Sequence, residues 1–270
     1  MSGRAERGRS VSFTHALCRA PSSSIVEGLR AEDRGAPDAD VFRAEHAAYV
    51  AGLEAAGVAV TVLDPLEAFP DSVFVEDPAL VLDGVAIVLR PGAPSRAGEA
   101  AALRPALERH CDGVLDLGRG LVDGGDILCT DDRVLVGLSA RTDRDGVEAL
   151  TPLVDGLGYR LELVETPPEI LHFKTECGLI DPETVLATPR LAATGCFTGL
   201  RVIETATGEE AAANAIAVNG RVLVSAGHPA TTERLREAGF AVVELPTTQS
   251  ALVDGGLSCM SLRYSRRGAS

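Results

Sequence analysis

Acidic residues lie beside glycines at several points where short apolar segments of this sequence begin or end. They are Asp71, Glu76 and Asp77 in DSVFVED, Asp123 and Asp126 in LVDGGDIL, and Asp254 in LVDGGLSCMS. Acids that converge on one point repel one another unless a cation lies among them. One such aspartate could simply cap a turn. The whole set, beside glycines that permit a close approach, predicts a site for a positively charged group.

A candidate nucleophile and a candidate base accompany these acids. Cys259 follows the last LVDGG segment, and His172 lies in ILHFKTECG. A free cysteine is most often a small buried apolar residue, and we expect this of the other five, which are Cys18, Cys111, Cys129, Cys177 and Cys196. Spacing alone also favours packing roles for Cys259 and His172, although a nucleophile and its base often lie far apart in a sequence.

Several other chemistries lack their motifs. No GxSxG segment is present, which argues against a serine hydrolase. HExxH is absent, and the spacing from His172 to Cys177 is not typical of zinc. Glycine-rich phosphate-binding motifs are also missing, which disfavours a nucleotide site.

The composition is that of a globular, acidic chain. Its 270 residues are 46% apolar and 24% charged, with a net charge of −14. Nucleic acids and anionic membranes bind clustered basic residues, so we expect neither as a partner, whereas a cationic small molecule is compatible. The basic residues are 24 arginines and a single lysine, Lys174, a bias that we attribute to codon usage.

The expected location is the cytoplasm. No apolar stretch typical of a signal peptide follows the N-terminus, and no segment approaches the roughly 18 apolar residues of a membrane span. Scattered cysteines without a CxxC pair are most simply free thiols in a reducing compartment. We expect residues 1–10 to be flexible, and whether the chain forms a homodimer stays open.

Repeated strand and helix signals must position the chemical groups. Turn residues between β-branched segments predict hairpins at Asp83-Gly84, Asp131-Asp132, Asp181-Pro182 and Asn219-Gly220. Apolar residues at three- and four-residue steps predict helices over 40–56, 96–111, 143–156 and 231–238. Strands over 58–63, 113–117, 159–164 and 241–245 should follow them. Pro94-Ser95-Arg96 and Thr231-Thr232-Glu233 are typical of helix N-terminal caps.

A strand–strand–helix–strand unit that recurs about every 40 to 50 residues predicts a circular α/β array. We expect one catalytic domain over residues 1–270. An ordinary α/β sandwich is the alternative that the pattern leaves open.

The ordered series FVED, RPGAPSR, DGGDIL, GLSARTD, LHFKT, AANAI and VDGGLSC resembles the dimethylarginine dimethylaminohydrolases of the guanidine-modifying (amidinotransferase) superfamily. The resemblance extends from Phe13 to about Leu262. It implies a five-bladed α/β propeller of ββαβ modules around a central channel. It also implies hydrolysis of asymmetric dimethylarginine and monomethylarginine to citrulline plus dimethylamine or methylamine, through a covalent thiouronium on cysteine. Arginine deiminases share the chemistry but carry an extra helical domain, for which 270 residues leave no room.

The resemblance also implies roles for individual residues. The catalytic positions are Cys259 as nucleophile, His172 as general acid and base, and Asp123 as the acid that orients His172. The substrate-binding positions are Glu76, Asp77 and Asp254 for the guanidinium, Asp71 with the Leu29 carbonyl for the amino group, Arg96 and Arg141 for the carboxylate, and Val253 through its backbone. No metal or organic cofactor has a task in this chemistry.

Three other functions remain open from the sequence. One is a related guanidino hydrolase, resembling arginine deiminase, that acts on free arginine. Another is a catalytically inactive binding module, although nucleophile, base and acids are all present. The third is redox or zinc sensing through the thiols.

Overall fold

Within residues 9–167 and 169–266, which the computed structural model describes, the strands form five three-stranded sheets. The strands are β1 His15–Arg19, β2 Ala59–Leu63, β3 Ala79–Leu82, β4 Val85–Val88, β5 Gly113–Asp116, β6 Ile127–Cys129, β7 Arg133–Leu138, β8 Arg160–Glu165, β9 Cys177–Asp181, β10 Thr184–Ala187, β11 Arg201–Glu204, β12 Ile216–Val218, β13 Arg221–Ser225, β14 Ala241–Leu245 and β15 Leu262–Tyr264. The helices are α1 Ala39–Ala55, α2 Glu99–His110, α3 Arg144–Gly156, α4 Pro189–Ala192 and α5 Pro229–Glu237. None of the helices in these ranges is long and apolar enough to cross a membrane.

Each sheet is one copy of the same unit. In the second unit β3 pairs antiparallel with β4, and the chain passes through α2 into β5, which pairs parallel with β4. The next three units repeat this order with β6 to β8 around α3, β9 to β11 around α4, and β12 to β14 around α5. The predicted ββαβ module is therefore confirmed.

The first unit closes the ring with both ends of the described chain. β1 pairs parallel with β2 across α1, and β15 pairs antiparallel with β1 in the register His15 to Tyr264. The inner strands β3, β6, β9, β12 and β15 all contribute residues to one central cavity of about 730 Å³. The predicted five-bladed propeller with a central channel is confirmed by this arrangement.

Local sequence explains the hairpins inside each unit. Asp83 and Asn219 adopt φ angles of 46° and 50°, and the glycines after them adopt 79° and 82°. Two successive residues of positive φ are characteristic of the tight turn that matches the twist of paired strands. All four predicted hairpins form at the expected places.

Two predicted helix caps are wrong. Pro94–Arg96 forms a separate 3-10 turn, and α2 begins at Glu99 after Gly98, which supplies no side-chain cap. Helix α5 begins at Pro229, whose fixed φ suits the first helical position. Thr231 is therefore inside the helix, and its hydroxyl accepts a hydrogen bond from Ala206 N at 2.9 Å.

The fourth module departs most from the sequence pattern. Its helix α4 has only four residues, too few for an apolar period, and we predicted no helix there. Of the segment 1–10, residues 1–8 lie outside the described ranges. Arg9 and Ser10 both hydrogen-bond to Asp131.

Candidate active site

The predicted site residues lie in loops at one end of the propeller. In each sheet the inner strand is antiparallel to the middle strand, which is β1, β4, β7, β10 or β13. The loop that enters the inner strand and the loop that leaves the middle strand therefore meet at the same end of the propeller. The loops that enter inner strands carry residues 71–77, Asp123, His172 and Cys259. The loops that leave middle strands carry Leu29, Arg96 and Arg141. The ring thus collects groups that are distant in sequence.

His172 is paired with Asp123. The imidazole Nε2 lies 3.1 Å from Asp123 Oδ2, and the other carboxylate oxygen accepts a hydrogen bond from Gly92 N at 2.7 Å. The glycines of LVDGG make this approach possible, because a Cβ on Gly125 would lie 2.8 Å from the His172 ring. One on Gly124 would lie 2.0 Å from the Glu76 carbonyl oxygen.

Asp126 ties the His172 loop to the loop that carries Arg141. Its Oδ1 accepts a hydrogen bond from Phe173 N at 2.9 Å. Its Oδ2 accepts from the hydroxyls of Ser139 and Thr142, each at 2.6 Å. A fully buried carboxylate with three donors fixes both loops.

The surroundings of His172 favour its charged form. Burial lowers the pKa of His172, but the hydrogen bond to Asp123 and the charges of Asp77, Asp126 and Asp123 outweigh it and raise the pKa to about 9. The imidazole therefore holds its proton at neutral pH and can act as a general acid.

Asp77, Asp123 and His172 also present possible metal ligands. Their ligand-type atoms lie within 4.8 Å of one another. A metal requires a neutral imidazole, whereas the neighbouring carboxylates keep His172 protonated at neutral pH. Metal binding at this cluster would therefore have to displace the proton of His172.

Asp77 is buried beside this pair. It accepts a hydrogen bond from Gly125 N at 3.0 Å and forms an ion pair with Arg96. Burial raises the pKa of Asp77, but the charges of Arg96 and His172 outweigh it and lower the pKa below the ordinary value. Asp77 therefore stays negatively charged and can hold a cation.

Arg96 is largely engaged within the protein. Besides Asp77, its guanidinium pairs with Glu99 at 2.7 Å and donates to the carbonyls of Asp71 and Phe74 at 3.3 and 3.1 Å. These contacts use most of its five N–H donors. They also fix Asp77 and the 71–77 loop in place.

Cys259 lies in a short 3-10 turn immediately before β15 and is 9% exposed. Its carbonyl oxygen accepts a hydrogen bond from Glu76 N at 3.2 Å. Burial, followed by the charges of Asp77 and Glu76, raises the pKa of the thiol to about 12. Cys259 is therefore a protonated thiol until a positive charge approaches it.

The amide of Asn214 connects the Cys259 loop to the His172 loop. Ser258 N donates to its Oδ1 at 2.9 Å, and its Nδ2 donates to the Lys174 carbonyl at 3.0 Å. A Cβ on Gly256 would lie 2.5 Å from Asn214 Cγ. The second glycine of LVDGG thus permits this contact.

Within the part of the chain that the structure describes, Glu76 forms its ion pairs through one oxygen. Its Oε1 lies 2.5 Å from Lys174 Nζ and 3.4 Å from Arg263 Nη2. Among the described residues, Oε2 is buried and has no hydrogen-bond partner. A buried acceptor without a donor is costly, so this oxygen is available to an N–H group of a ligand.

The residues predicted to hold an amino group are neighbours. Asp71 accepts a hydrogen bond from Leu29 N at 3.0 Å. A Cβ on Gly28 would lie 2.9 Å from Val253 Cγ1 and 3.2 Å from Asp71 Oδ1. Burial raises the pKa of Asp71, and Arg141 is among the cations that oppose this shift. Arg141 is therefore near enough to act on Asp71.

Asp254 lies in the left-handed region with a φ of 55°. Its carboxylate accepts a hydrogen bond from Ala31 N at 2.5 Å and lies 3.4 Å from Arg34 Nη2. In this structure it therefore contacts the loop that follows Leu29.

Sequence reasoning placed Asp126 among the acids of a cation site, whereas the structure shows that it fixes two loops, and it gave no role to Lys174 or Asn214. All three lie in segments that carry the resemblance, DGGDIL, LHFKT and AANAI. Their location in these segments was the feature of the sequence that could have indicated a functional role. Most of their partners are backbone groups and acids of other modules, which spacing along the chain does not reveal.

Comparison with known proteins shows the family of this chain. The family described as "N,N dimethylarginine dimethylhydrolase, eukaryotic" matches residues 36–181. The N(G),N(G)-dimethylarginine dimethylaminohydrolase of Pseudomonas aeruginosa is 37% identical over 254 residues, which are 93% of this chain and 100% of that one. The enzyme of the same name from Streptomyces coelicolor is 32% identical over 252 residues, 92% of this chain and 96% of that one.

Solved structures show the same fold. A cysteine-to-serine variant of the P. aeruginosa enzyme in complex with citrulline superposes with a TM-score of 0.90 and 36% identity, covering 94% of this chain and 100% of that one. The N-terminal domain of a cyanobacterial arginine dihydrolase superposes with a TM-score of 0.81 at 19% identity, covering 94% and 98%. The two enzyme sequences align with nearly the whole chain and the family match covers more than half of it, and we conclude that this protein belongs to the dimethylarginine dimethylaminohydrolase family of hydrolases.

Proposed function

We propose that the protein hydrolyses asymmetric dimethylarginine and monomethylarginine to citrulline and dimethylamine or methylamine, through a covalent intermediate on Cys259. The observation that carries this proposal is the pairing of His172 with Asp123 at 3.1 Å, in a cluster with Asp77, whose charge also acts on the buried Cys259 thiol. An amine leaving group needs a proton donor. A thiol among acids needs a cationic substrate to become a thiolate.

The acids suit recognition of a guanidinium. Asp77 and the partnerless Oε2 of Glu76 offer buried acceptors to its N–H groups. Charge-assisted hydrogen bonds of this kind fix the guanidinium plane and therefore the direction of attack. We include Asp254 in this role. Its contacts with Ala31 and Arg34 then couple guanidinium binding to the loop after Leu29.

The other end of the substrate is an α-amino acid. In our proposal Asp71 and the carbonyl of Leu29 hold its amino group, with a backbone contact from Val253. Arg96 and Arg141 hold the carboxylate, for which a planar guanidinium is well suited. Arg141 supplies most of this recognition, since Arg96 is already engaged with Asp77 and Glu99.

In the first half-reaction the Cys259 thiol releases its proton to solvent water, and the thiolate attacks the guanidinium carbon. The bond from that carbon to the methylated nitrogen then breaks, and His172 donates a proton to the departing amine. The product that remains on the enzyme is a thiouronium, a cation that Asp77 and Glu76 stabilise.

In the second half-reaction the same imidazole, now neutral, takes a proton from water. The resulting hydroxide attacks the thiouronium carbon, the carbon–sulfur bond breaks, and citrulline and the Cys259 thiol are released. His172 ends the cycle protonated, as it began. The scheme requires no metal or organic cofactor.

Citrulline release from dimethylarginine, monomethylarginine and free arginine tests this proposal. We expect release from the two methylated substrates and none from Cys259→Ser, whose hydroxyl is a far weaker nucleophile at neutral pH. Preference for free arginine would instead identify a guanidino hydrolase resembling arginine deiminase. Calorimetric binding without amine release would identify an inactive binding module.

We also propose a cytoplasmic location. All six cysteines are free thiols, which agrees with a reducing compartment. Fractionation of the native cell, with detection of the chain in each fraction, tests this.

A further inference from the structure

Lys174 is the one lysine in a chain that has 24 arginines. The bias towards arginine at every other basic position makes the single exception informative. Lysine carries a compact point charge, whereas arginine carries a broad planar fork with five donors. Lysine at this one position, despite the bias, indicates that the compact ammonium group fits there and the larger guanidinium does not.

The place of Lys174 in the fold agrees with this expectation. It follows His172 by two residues, in the 3-10 turn Phe173–Thr175. Its Nζ lies 2.5 Å from Glu76 Oε1, and the two side chains are only 10% and 8% exposed. Both residues also line the 730 Å³ cavity in the channel. The ion pair therefore lies between the reacting groups and this cavity.

Each acid near the nucleophile has its own cation. Asp77 is paired with Arg96, and Asp123 with His172. Glu76 is paired with Lys174, whose Nζ lies 2.5 Å from Oε1, whereas Nη2 of Arg263 lies farther from the same oxygen, at 3.4 Å.

Arg263 makes only a long contact with Glu76, from Nη2 at 3.4 Å, and other contacts hold its guanidinium in place. Its Nη1 is committed to the carbonyls of Ser258 and Ser261 and to the Ser261 hydroxyl. Removal of Lys174 would leave the Glu76 charge poorly compensated beside Cys259.

We propose that Lys174 is a positioning residue that acts through Glu76. It holds Glu76 by Oε1, which leaves Oε2 free for the substrate guanidinium, and it offsets the negative charge that would otherwise oppose formation of the Cys259 thiolate. This inference rests on the proposed role of Cys259 as nucleophile.

The test compares Lys174→Met, Lys174→Arg and the double variant Glu76→Gln/Lys174→Met with the wild type. Alkylation of Cys259 by iodoacetamide, followed on its peptide by mass spectrometry, reports the thiolate fraction without needing turnover. Citrulline release from dimethylarginine is measured in parallel, and thermal unfolding identifies the folded variants. Arg133→Met is the matched control, since it removes a similarly buried cation, 12% exposed, from Glu162 on the outer strand β8.

We expect Lys174→Met to slow alkylation of Cys259 about tenfold, the effect of one pKa unit, and to lower kcat/KM at least as much. The double variant should regain alkylation within about threefold of the wild type, because no unpaired charge remains, while its turnover stays low for want of Glu76. Lys174→Arg should lose turnover, and Arg133→Met should behave as wild type.

Three results would overturn the proposal: alkylation of Lys174→Met at the wild-type rate, a double variant as slow as the single one, or full activity of Lys174→Arg. If Lys174→Met does not fold, the double variant and Lys174→Arg decide. Absence of citrulline release by the wild type would refute the proposed function, while the alkylation rates would still test the coupling of Lys174 to Cys259.

Discussion

Replacement of Asp123 by asparagine should convert His172 from a proton donor into a neutral ring. The substitution keeps the shape of a side chain that is completely buried. The asparagine oxygen can still accept from Gly92 N, as Asp123 does at 2.7 Å. Its amide nitrogen would then face Nε2 of His172, and it can donate there only if that atom carries no proton.

The expected fall in kcat follows from the pKa of His172. The rise from 6.5 to about 9 corresponds to about 3 kcal/mol at 1.36 kcal/mol per unit. Asp123 provides the largest of the contributions that raise this pKa, against the opposing effect of burial. Without it we expect the pKa to return to about 6.5 or below. At pH 8 the protonated fraction would then fall about 30-fold, and kcat should fall at least as far.

The same substitution should change how stability depends on pH. A folded-state pKa above the unfolded value contributes stability that is fully present below the unfolded pKa of about 6.5 and is lost as the pH rises through about 9. The wild type should therefore lose up to about 3 kcal/mol of this contribution over that interval. Asp123→Asn should lose much less.

Proton NMR of the histidine ring measures the pKa, with His172→Ala to identify the signal. Denaturant unfolding between pH 6 and 9.5 measures the stability. Asp38→Asn is the control, since Asp38 caps helix α1 and asparagine is an equally good cap. A His172 pKa that stayed near 9 in Asp123→Asn, or a kcat within twofold of the wild type, would refute the reasoning.

Three further predictions concern other parts of the site. The Cys259 thiol of the free enzyme should titrate near pH 12 and lower when a cationic substrate analogue is bound; a thiolate already present at pH 6 by absorbance would contradict this. Arg141→Lys should raise KM about tenfold with little change in kcat, because an ammonium cannot form a bidentate pair; a collapse of kcat at fixed KM would place Arg141 in the chemistry. Gly125→Ala should reduce kcat/KM about a hundredfold or more, since its Cβ would lie 2.8 Å from the His172 ring. Gly156→Ala, which meets nothing within 4 Å, should retain full activity, and equal activity of the two variants would count against the close approach.

The fold was predictable where local signals repeat. Asp83-Gly84 and Asn219-Gly220 specify their turns through backbone angles that few other residue pairs adopt. Helices of 12 or more residues, such as α1, α2 and α3, show their apolar period. Helix α4, with four residues, shows none.

The site was predictable only in part from the residues themselves. The acids beside glycines and the LVDGG repeat indicated a cation site. The structure explains the glycines, because a Cβ on Gly124 would lie 2.0 Å from the Glu76 carbonyl oxygen and one on Gly125 would lie 2.8 Å from the His172 ring. The pairing of His172 with Asp123 depends on how modules meet around the ring. The distance between His172 and Asp123 cannot be inferred from their separation along the chain.

The roles of Lys174 and Asn214 were not predictable for a related reason. Each acts on a group in another module, Glu76 in one case and Ser258 N in the other. A lysine or an asparagine in a loop is ordinarily solvated, and only burial reveals these contacts.

The central claim is that Cys259 attacks the substrate carbon and carries it as a thiouronium. The most direct measurement is mass spectrometry of the Cys259 peptide after acid quench of the enzyme during steady turnover of dimethylarginine. We predict an adduct on Cys259 with the mass of the substrate less dimethylamine, and none in Cys259→Ser. An adduct on another cysteine, or citrulline formation by Cys259→Ser at a rate near that of the wild type, would contradict the account.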